Sequence, residues 1–237
     1  MLNADKIYAL FFITLSLISN AYSMEGKAVV VSAYATSVNE QPAAVKRNIS
    51  IASSKINGMV IRNGEIFSFN KTVGEATVSN GFMPANVLYR DSIVVEVGGG
   101  ICQVSSTLFN AFLLSGFTIV ERHRHFQPVS YVPLGLDSTI KFGKKDLRVK
   151  NTTGRDIRIH CEINESVYSV KLTSNSYSDE VFEIYTEENE IAPPIEDELI
   201  QNGIEVEVFR RKIVKGKLKE TFLLYKDFYP PVRNTNR

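Results

Sequence analysis

The sequence predicts an α+β fold, with two helices packed on an antiparallel, strand-rich body and a C-terminal β-hairpin extension. Three observations carry this expectation. Two segments, over residues 45–56 and 102–115, space their apolar residues for helices. Short β-prone runs around them alternate with Gly, Asn and Pro punctuation, as antiparallel strands and their turns require. No internal repeat and no heptad pattern offers another architecture. At 237 residues and 44% hydrophobic, the chain can bury a full core without disulfide staples.

Residues 1–23 read as a secretory signal peptide. Lys6 precedes an apolar run from Ile7 to Ile18, and Ala21-Tyr22-Ser23 supplies small residues at a cleavage site. The run falls short of the roughly 20 apolar residues that a spanning helix needs. Cleavage after Ser23 is expected, with an uncleaved membrane anchor as the alternative, and either places the remainder outside the cytoplasm, at the cell envelope.

A main domain over residues 28–174 opens with a strand at 28–35. Pro42 then starts a helix that presents Val45, Ile49, Ala52 and Ile56 on one face, and Asn57-Gly58 stops it. Asn63-Gly64 marks a tight turn, residues 66–69 a short strand and residues 70–74 a loop. Residues 87–97 form another β-prone run. Gly98-Gly99-Gly100 interrupts it before the second helix, which Gly116 ends. A strand over 117–125 is predicted to place Glu121, His123 and His125 on one face and Arg122 and Arg124 on the other. A meander near 138–142, 146–150, 156–163 and 166–173 follows, with turns at Gly143, 151–154 and Asn164. Residues 175–237 change in composition. Acidic residues and Pro193-Pro194 make 187–198 a linker, and 203–229 reads as a hairpin turning at Lys215-Gly216-Lys217.

The formal net charge is +1, from 27 basic and 26 acidic residues that are interspersed. Without a basic stripe, nucleic acid is not an expected partner. The chemistry concentrates instead at Gly98-Gly99-Gly100-Ile101-Cys102-Gln103, where glycines run into a thiol at the start of a helix. The positive end of the helix dipole and its unpaired N–H groups favour a thiolate there, the form of cysteine that attacks an acyl carbon. Such a nucleophile needs a base, a group that orients the base, and donors for an oxyanion. His123 or His125 is the candidate base, and Asp137 or Asp146 could orient it. The Cys102 and Gln103 N–H groups, or the Gln103 amide, are candidate oxyanion donors. Gly99, Gly100, Arg122, Arg124 and Tyr131 join Gln103 as candidate oxyanion or substrate-binding residues. A Cβ at Gly99 or Gly100 is expected to crowd the approach to Cys102. His160 reads as a surface residue.

Two alternatives compete with a nucleophilic thiol. Cys102 could pack as a small hydrophobe, or join His123 and His125 around Zn²⁺. No metal or cofactor is expected under the nucleophile reading. A Cys102–Cys161 disulfide is not expected, because Ile157, Ile159, Cys161 and Ile163 alternate with polar residues and put Cys161 on an apolar strand face.

At these residues the sequence resembles the VanW domain proteins of bacterial envelopes, over about residues 32–173. The carrying motifs are Asn57-Gly58, Gly64-Glu65-Ile66-Phe67-Ser68-Phe69-Asn70, Val73-Gly74-Glu75, the stretch 98–110, and Glu121-Arg122-His123-Arg124-His125. Pro128-Val129-Ser130-Tyr131-Val132-Pro133, Gly135-Leu136-Asp137 and Lys145-Asp146-Leu147 also fit. Phe126 stands where the family usually has Ser, and Ser138 where it usually has Ala. Some members are regarded as L,D-transpeptidases that cross-link peptidoglycan through the cysteine of the glycine-rich motif. The resemblance therefore implies Cys102 as nucleophile, His123 and His125 as the matching histidines, and peptidoglycan stem peptides as the partner. The rival class is a non-catalytic wall-binding module.

The signal reading predicts that the exported protein begins at Met24. N-terminal sequencing checks it, and a native cytosolic form retaining Met1 would refute it.

Overall fold

A computed structural model describes residues 28–89, 92–191 and 199–233. The predicted signal peptide lies outside the described residues, as does 192–198 of the predicted linker. In chain order the elements are β1 (Val29–Ser37), α1 (Ala43–Ile56), β2 (Val60–Ile61), β3 (Ile66–Ser68), α2 (Phe69–Val73), β4 (Pro84–Tyr89), β5 (Ser92–Val97) and α3 (Ile101–Ser115). Then come β6 (Thr118–Glu121), β7 (Arg148–Lys150), β8 (Ile157–Ile163), β9 (Val167–Ser174), β10 (Glu180–Ile191), β11 (Leu199–Gln201), β12 (Gly203–Val214), β13 (Lys217–Tyr229) and β14 (Val232–Arg233). The fold is α+β, with every strand pair antiparallel. Among the described residues no helix is long and apolar enough to cross a membrane.

The helix α3 is the centre of the molecule. Nearly all its side chains are buried, polar ones included, so its hydrogen-bonding groups must find partners inside the protein. Asn110 donates to Leu136 O (2.7 Å), and Ser32 of β1 donates to Ala111 O (2.8 Å). The sheet β1-β9-β8-β2 lies against it, and α1 packs on it, with Val45 and Ile49 beside Gly100 at its N-cap. As the apolar spacing predicts, α1 buries Val45, Ile49, Ala52 and Ile56. It also buries Asn48, whose amide donates to Met83 O (2.9 Å) and Gly99 O (3.0 Å) and whose carbonyl accepts from Met83 N (2.7 Å). That one side chain pins the glycine turn to the helix beside it.

Several elements differ from expectation, each for a local reason. Residues 84–89 and 92–97 pair antiparallel as β4 and β5, rather than forming one strand. The predicted strand at 66–69 is cut short because Ser68 caps α2, accepting from Lys71 N, and Asp146 accepts from Asn70 N (2.8 Å). Asp146 is thus tied to a helix start and does not orient an imidazole. The strand after α3 ends at Glu121, so His123 and His125 are not on a strand face. Residues 138–142 form no strand, only an isolated bridge between Lys141 and Lys145.

In the C-terminal region the predicted hairpin over 203–229 forms as β12-β13, and β10 adds a third strand through Ile191, where the start of a linker was expected. The acidic residues through Ile191 pair along the length of β12. The turn falls at Lys215 (φ 51°) and Gly216 (φ 72°), as predicted. One hydrophobic core runs through both regions, since Val206, Val208 and Tyr229 are buried together with Phe109, Phe112 and Leu136.

The glycine turn is shaped by packing. A Cβ at Gly99 would meet Ala85 Cβ and Asn86 O, both at 2.8 Å, and one at Gly100 would meet Val45 Cγ1 at 2.7 Å. The expected crowding of the approach to Cys102 is corrected accordingly: these substituents point at β4 and α1. Gly100 also sits at φ +100°, which L side chains rarely adopt. Gly100→Val is expected to lose roughly 1–3 kcal/mol from backbone strain alone, and more from the clash with Val45. Denaturant unfolding measures it, and unchanged stability would refute the packing role.

Candidate active site

Cys102 sits in the first turn of α3, on the floor of a cleft of about 460 Å³. One wall is α1 and the β4-β5 strand pair, and the other is the segment after β6, with Phe126, Tyr131 and Thr139–Lys141. The first turn of the helix brings its N–H groups to the cleft here. Ile101 N–H donates to Gly98 O and Gln103 N–H to Gly100 O, while the Cys102 N–H has no main-chain partner among the described residues. The Gln103 amide is not available as an oxyanion donor. It is buried and donates to Thr36 Oγ1 (3.0 Å) and Ser37 O (2.8 Å), so its work is to fasten α3 to β1.

Of the two histidines, His125 meets the cysteine. Asp137, whose side chain is 2% exposed, accepts His125 Nδ1–H at 2.6 Å. A carboxylate can only accept, so the proton is on Nδ1 and Nε2 is left for the thiol. Burial pushes the Cys102 thiol up, but the neighbouring His125 ring with its charge, the Ile140 main chain and Thr139 together outweigh it. The net displacement is downward. Thr139 Oγ1 lies 3.5 Å from the sulfur. Burial works against a charged His125, yet the bonds and charges of Asp137 and Cys102 hold its imidazolium up to about 9. The two shifts act together in the direction of a thiolate–imidazolium pair. His123 turns the other way. It is 36% exposed and bonds Glu121 Oε1 at 3.0 Å.

Asp137 accepts four hydrogen bonds. Oδ2 takes the His125 backbone N–H and Nδ1–H, and Oδ1 takes Arg122 Nη2 and the Tyr229 hydroxyl, both at 2.8 Å. Burial pushes its pKa up, but the bonds and charge of His125 and the charge of Arg122 hold it below the usual carboxylate range. Arg122 is therefore no substrate grip. Its side chain is 5% exposed and its fork is used up by Asp137, Asp227 and the carbonyls of Asp137 and Gly135. Arg124 Nη1 donates to His125 O (2.6 Å) and Phe126 O (3.1 Å), and its guanidinium lies over the Tyr229 ring.

Tyr131 presents a different case. Its hydroxyl is buried without a hydrogen-bond partner among the described residues. It approaches Ser106, whose own hydroxyl donates to Cys102 O. Burial, and next the Cys102 charge, push its pKa far up, so it stays a phenol able to donate. Ser138, a departure from the family pattern, is buried and pairs with Ser105 and Ser106 beneath Cys102. Phe126, the other departure, is 48% exposed at the cleft rim.

Both cysteines are free thiols, and burial pushes Cys161 up to about 11. His123 and His125 are held apart by Glu121 and Asp137. Among the described residues no group of three His, Cys, Asp or Glu side chains is placed to hold a metal. Sequence reasoning missed Asn48, Thr139, Tyr225, Asp227 and Tyr229. Only their positions in the folded chain bring them to the site, and no local motif announces them.

The family model described as VanW like protein matches residues 45–173. The chain belongs to the VanW family. It is 40% identical over 129 residues to the uncharacterized protein YoaR of Bacillus subtilis, covering 54% of this chain and 43% of that protein. It is 34% identical over 111 residues to the vancomycin B-type resistance protein VanW of Enterococcus faecalis, covering 45% of this chain and 40% of that one. The chain thus matches less than half the length of either relative. No solved structure matches it significantly. The VanW match includes Cys102, His125, Asp137 and Tyr131 and ends before β10.

The ion pair has a measurable signature. Iodoacetamide should alkylate Cys102 with an apparent pKa below the ordinary thiol value of about 8.5. His125→Ala should raise that pKa, because no imidazolium then stabilises the thiolate, and His123→Ala should not. Equal effects of the two variants would refute the assignment.

Proposed function

We propose that this chain is a cysteine acyltransferase of the cell envelope, acting on peptidoglycan stem peptides in the manner of an L,D-transpeptidase. The observation that carries this reading is the series Cys102–His125–Asp137 on the floor of an open cleft. The name of the Enterococcus relative links that protein to vancomycin resistance, which supports a role at the cell wall. An extracytoplasmic site of action is part of the proposal and rests on the N-terminal sequence.

In this mechanism the Cys102 thiolate attacks the carbonyl carbon that precedes a terminal D-residue. The carbonyl π electrons move to oxygen, and the Tyr131 hydroxyl and Cys102 N–H donate to the oxyanion. His125 passes its Nε2 proton to the leaving amine as the C–N bond breaks, which leaves a thioester and a neutral imidazole. An amine from a neighbouring stem then adds to the thioester and gives its proton to His125, and the thiolate departs. Water in place of that amine makes the same site a carboxypeptidase. Lys141 and Lys145 on one side of the cleft and Glu96 on the other suit a donor carboxylate and an acceptor amine.

The test is incubation with tetrapeptide muropeptides and mass spectrometry of the products. Wild type should form cross-links and a covalent adduct at Cys102, and folded Cys102→Ala should form neither. Tyr131→Phe should keep its iodoacetamide reactivity, which needs no oxyanion donor, while acylation falls roughly 10²–10³-fold. Full cross-linking by Cys102→Ala would overturn the reading. Muropeptide binding without any adduct or product in wild type would favour a wall-binding module.

A further inference from the structure

The sheet β10-β12-β13 lies outside the VanW match, which ends at residue 173, yet it reaches the catalytic carboxylate. We propose that this sheet is part of the active site, with Asp227 and Tyr229 of β13 as positioning residues that act on His125 through Arg122 and Asp137. The proposal rests on the Cys102–His125–Asp137 assignment above.

The contacts are direct and buried. Tyr229, 2% exposed, donates its hydroxyl to Asp137 Oδ1 (2.8 Å) and accepts the Gly135 N–H (3.1 Å). Asp227, its side chain 9% exposed, pairs with Arg122 Nη1, and Arg122 Nη2 holds the same Asp137 oxygen as Tyr229. Tyr225 donates to Gly135 O (2.8 Å), and Arg122 lies over its ring at 4.8 Å. Alternate residues 225, 227 and 229 of one strand thus grip the loop that carries Asp137, as the two-residue period of a strand requires. The main domain is shaped to receive them. A Cβ at Gly135 would meet Val208 and Val206 of β12 within 3 Å, and one at Gly116 would meet the Phe182 ring of β10. Arg210 of β12 donates to Phe117 O (2.7 Å).

The groups facing His125 are Cys102, Asp137 and Tyr131. Those facing Asp227 are Arg122, Asp137, Arg124, Tyr225 and Tyr229. Arg122 sits between two carboxylates, so its positive charge is divided between them. Without the Asp227 charge, more of it falls on Asp137, and Asp137 then supports the imidazolium less. The Tyr229 hydroxyl acts in the same direction as Arg122, since it draws on the Asp137 charge. Its loss should leave the imidazolium better supported.

The test is the pH profile of Cys102 alkylation by iodoacetamide in the full chain, with the modified residue located by mass spectrometry. The profile should show two inflections: a lower one as thiolate forms against imidazolium, and an upper one near 9 as His125 loses its proton. Asp227→Asn should move the upper inflection down by roughly one pH unit, the size expected when a nearby charge is removed. Asp227→Glu should restore it in part, and Tyr229→Phe should move it up. A sheet with only a structural role would lower the melting temperature in these variants and leave both inflections in place, which would overturn the proposal. Tyr229→Phe removes a single oxygen and keeps the test open if Asp227→Asn does not fold. A wild-type profile with no lowered thiol pKa would instead sink the catalytic assignment itself, so the two failures are distinguishable.

Discussion

The structure depends on one buried anion. Asp137 lies in the interior, where an unpaired carboxylate would cost several kcal/mol, and the surrounding architecture supplies what keeps it charged. Four donors converge on its two oxygens, from the loop itself, from Arg122 and from Tyr229. Arg122 needs a second anion to balance it, and Asp227 provides one. The result is a line of alternating sign from the Cys102 thiolate through His125, Asp137 and Arg122 to Asp227. Each charge in that line is tolerable because the next one is present, so removing any one leaves its neighbour buried and unbalanced.

That line is built from supports of different stiffness. Cys102 belongs to α3, a helix gripped on nearly every side, so its position is set by core packing. His125 and Asp137 belong to a segment with almost no regular structure between β6 and β7. Its shape comes from individual bonds to main-chain groups: Thr139 N–H to His123 O, Asn110 to Leu136 O, and Tyr225 to Gly135 O. A segment held this way depends on its neighbours for its geometry. This explains why a sheet outside the VanW match is in contact with the carboxylate at all.

The amino-acid sequence by itself determined the elements whose cause is local. The period of Val45, Ile49, Ala52 and Ile56 specifies α1, Gly100 and Gly116 bound α3, and Lys215-Gly216 turns the last hairpin. The same is true of the nucleophile candidate, since glycines before a thiol at a helix start can be read without coordinates. The choice between His123 and His125 could not be read, because an assumed strand through 125 put both on one face. Tertiary structure decided it: the strand ends at Glu121, which takes His123, and Asp137 takes His125. Arg122 and Gln103 were misplaced for a related reason. Their polar side chains look like substrate contacts in a sequence, yet burial commits them to Asp137, Asp227, Thr36 and Ser37. The reach of β13 into the site was equally invisible, because Asp227 lies 105 residues from Arg122 and Tyr229 lies 92 residues from Asp137. Contacts at that separation follow from how the sheets stack, and stacking is a property of the whole chain.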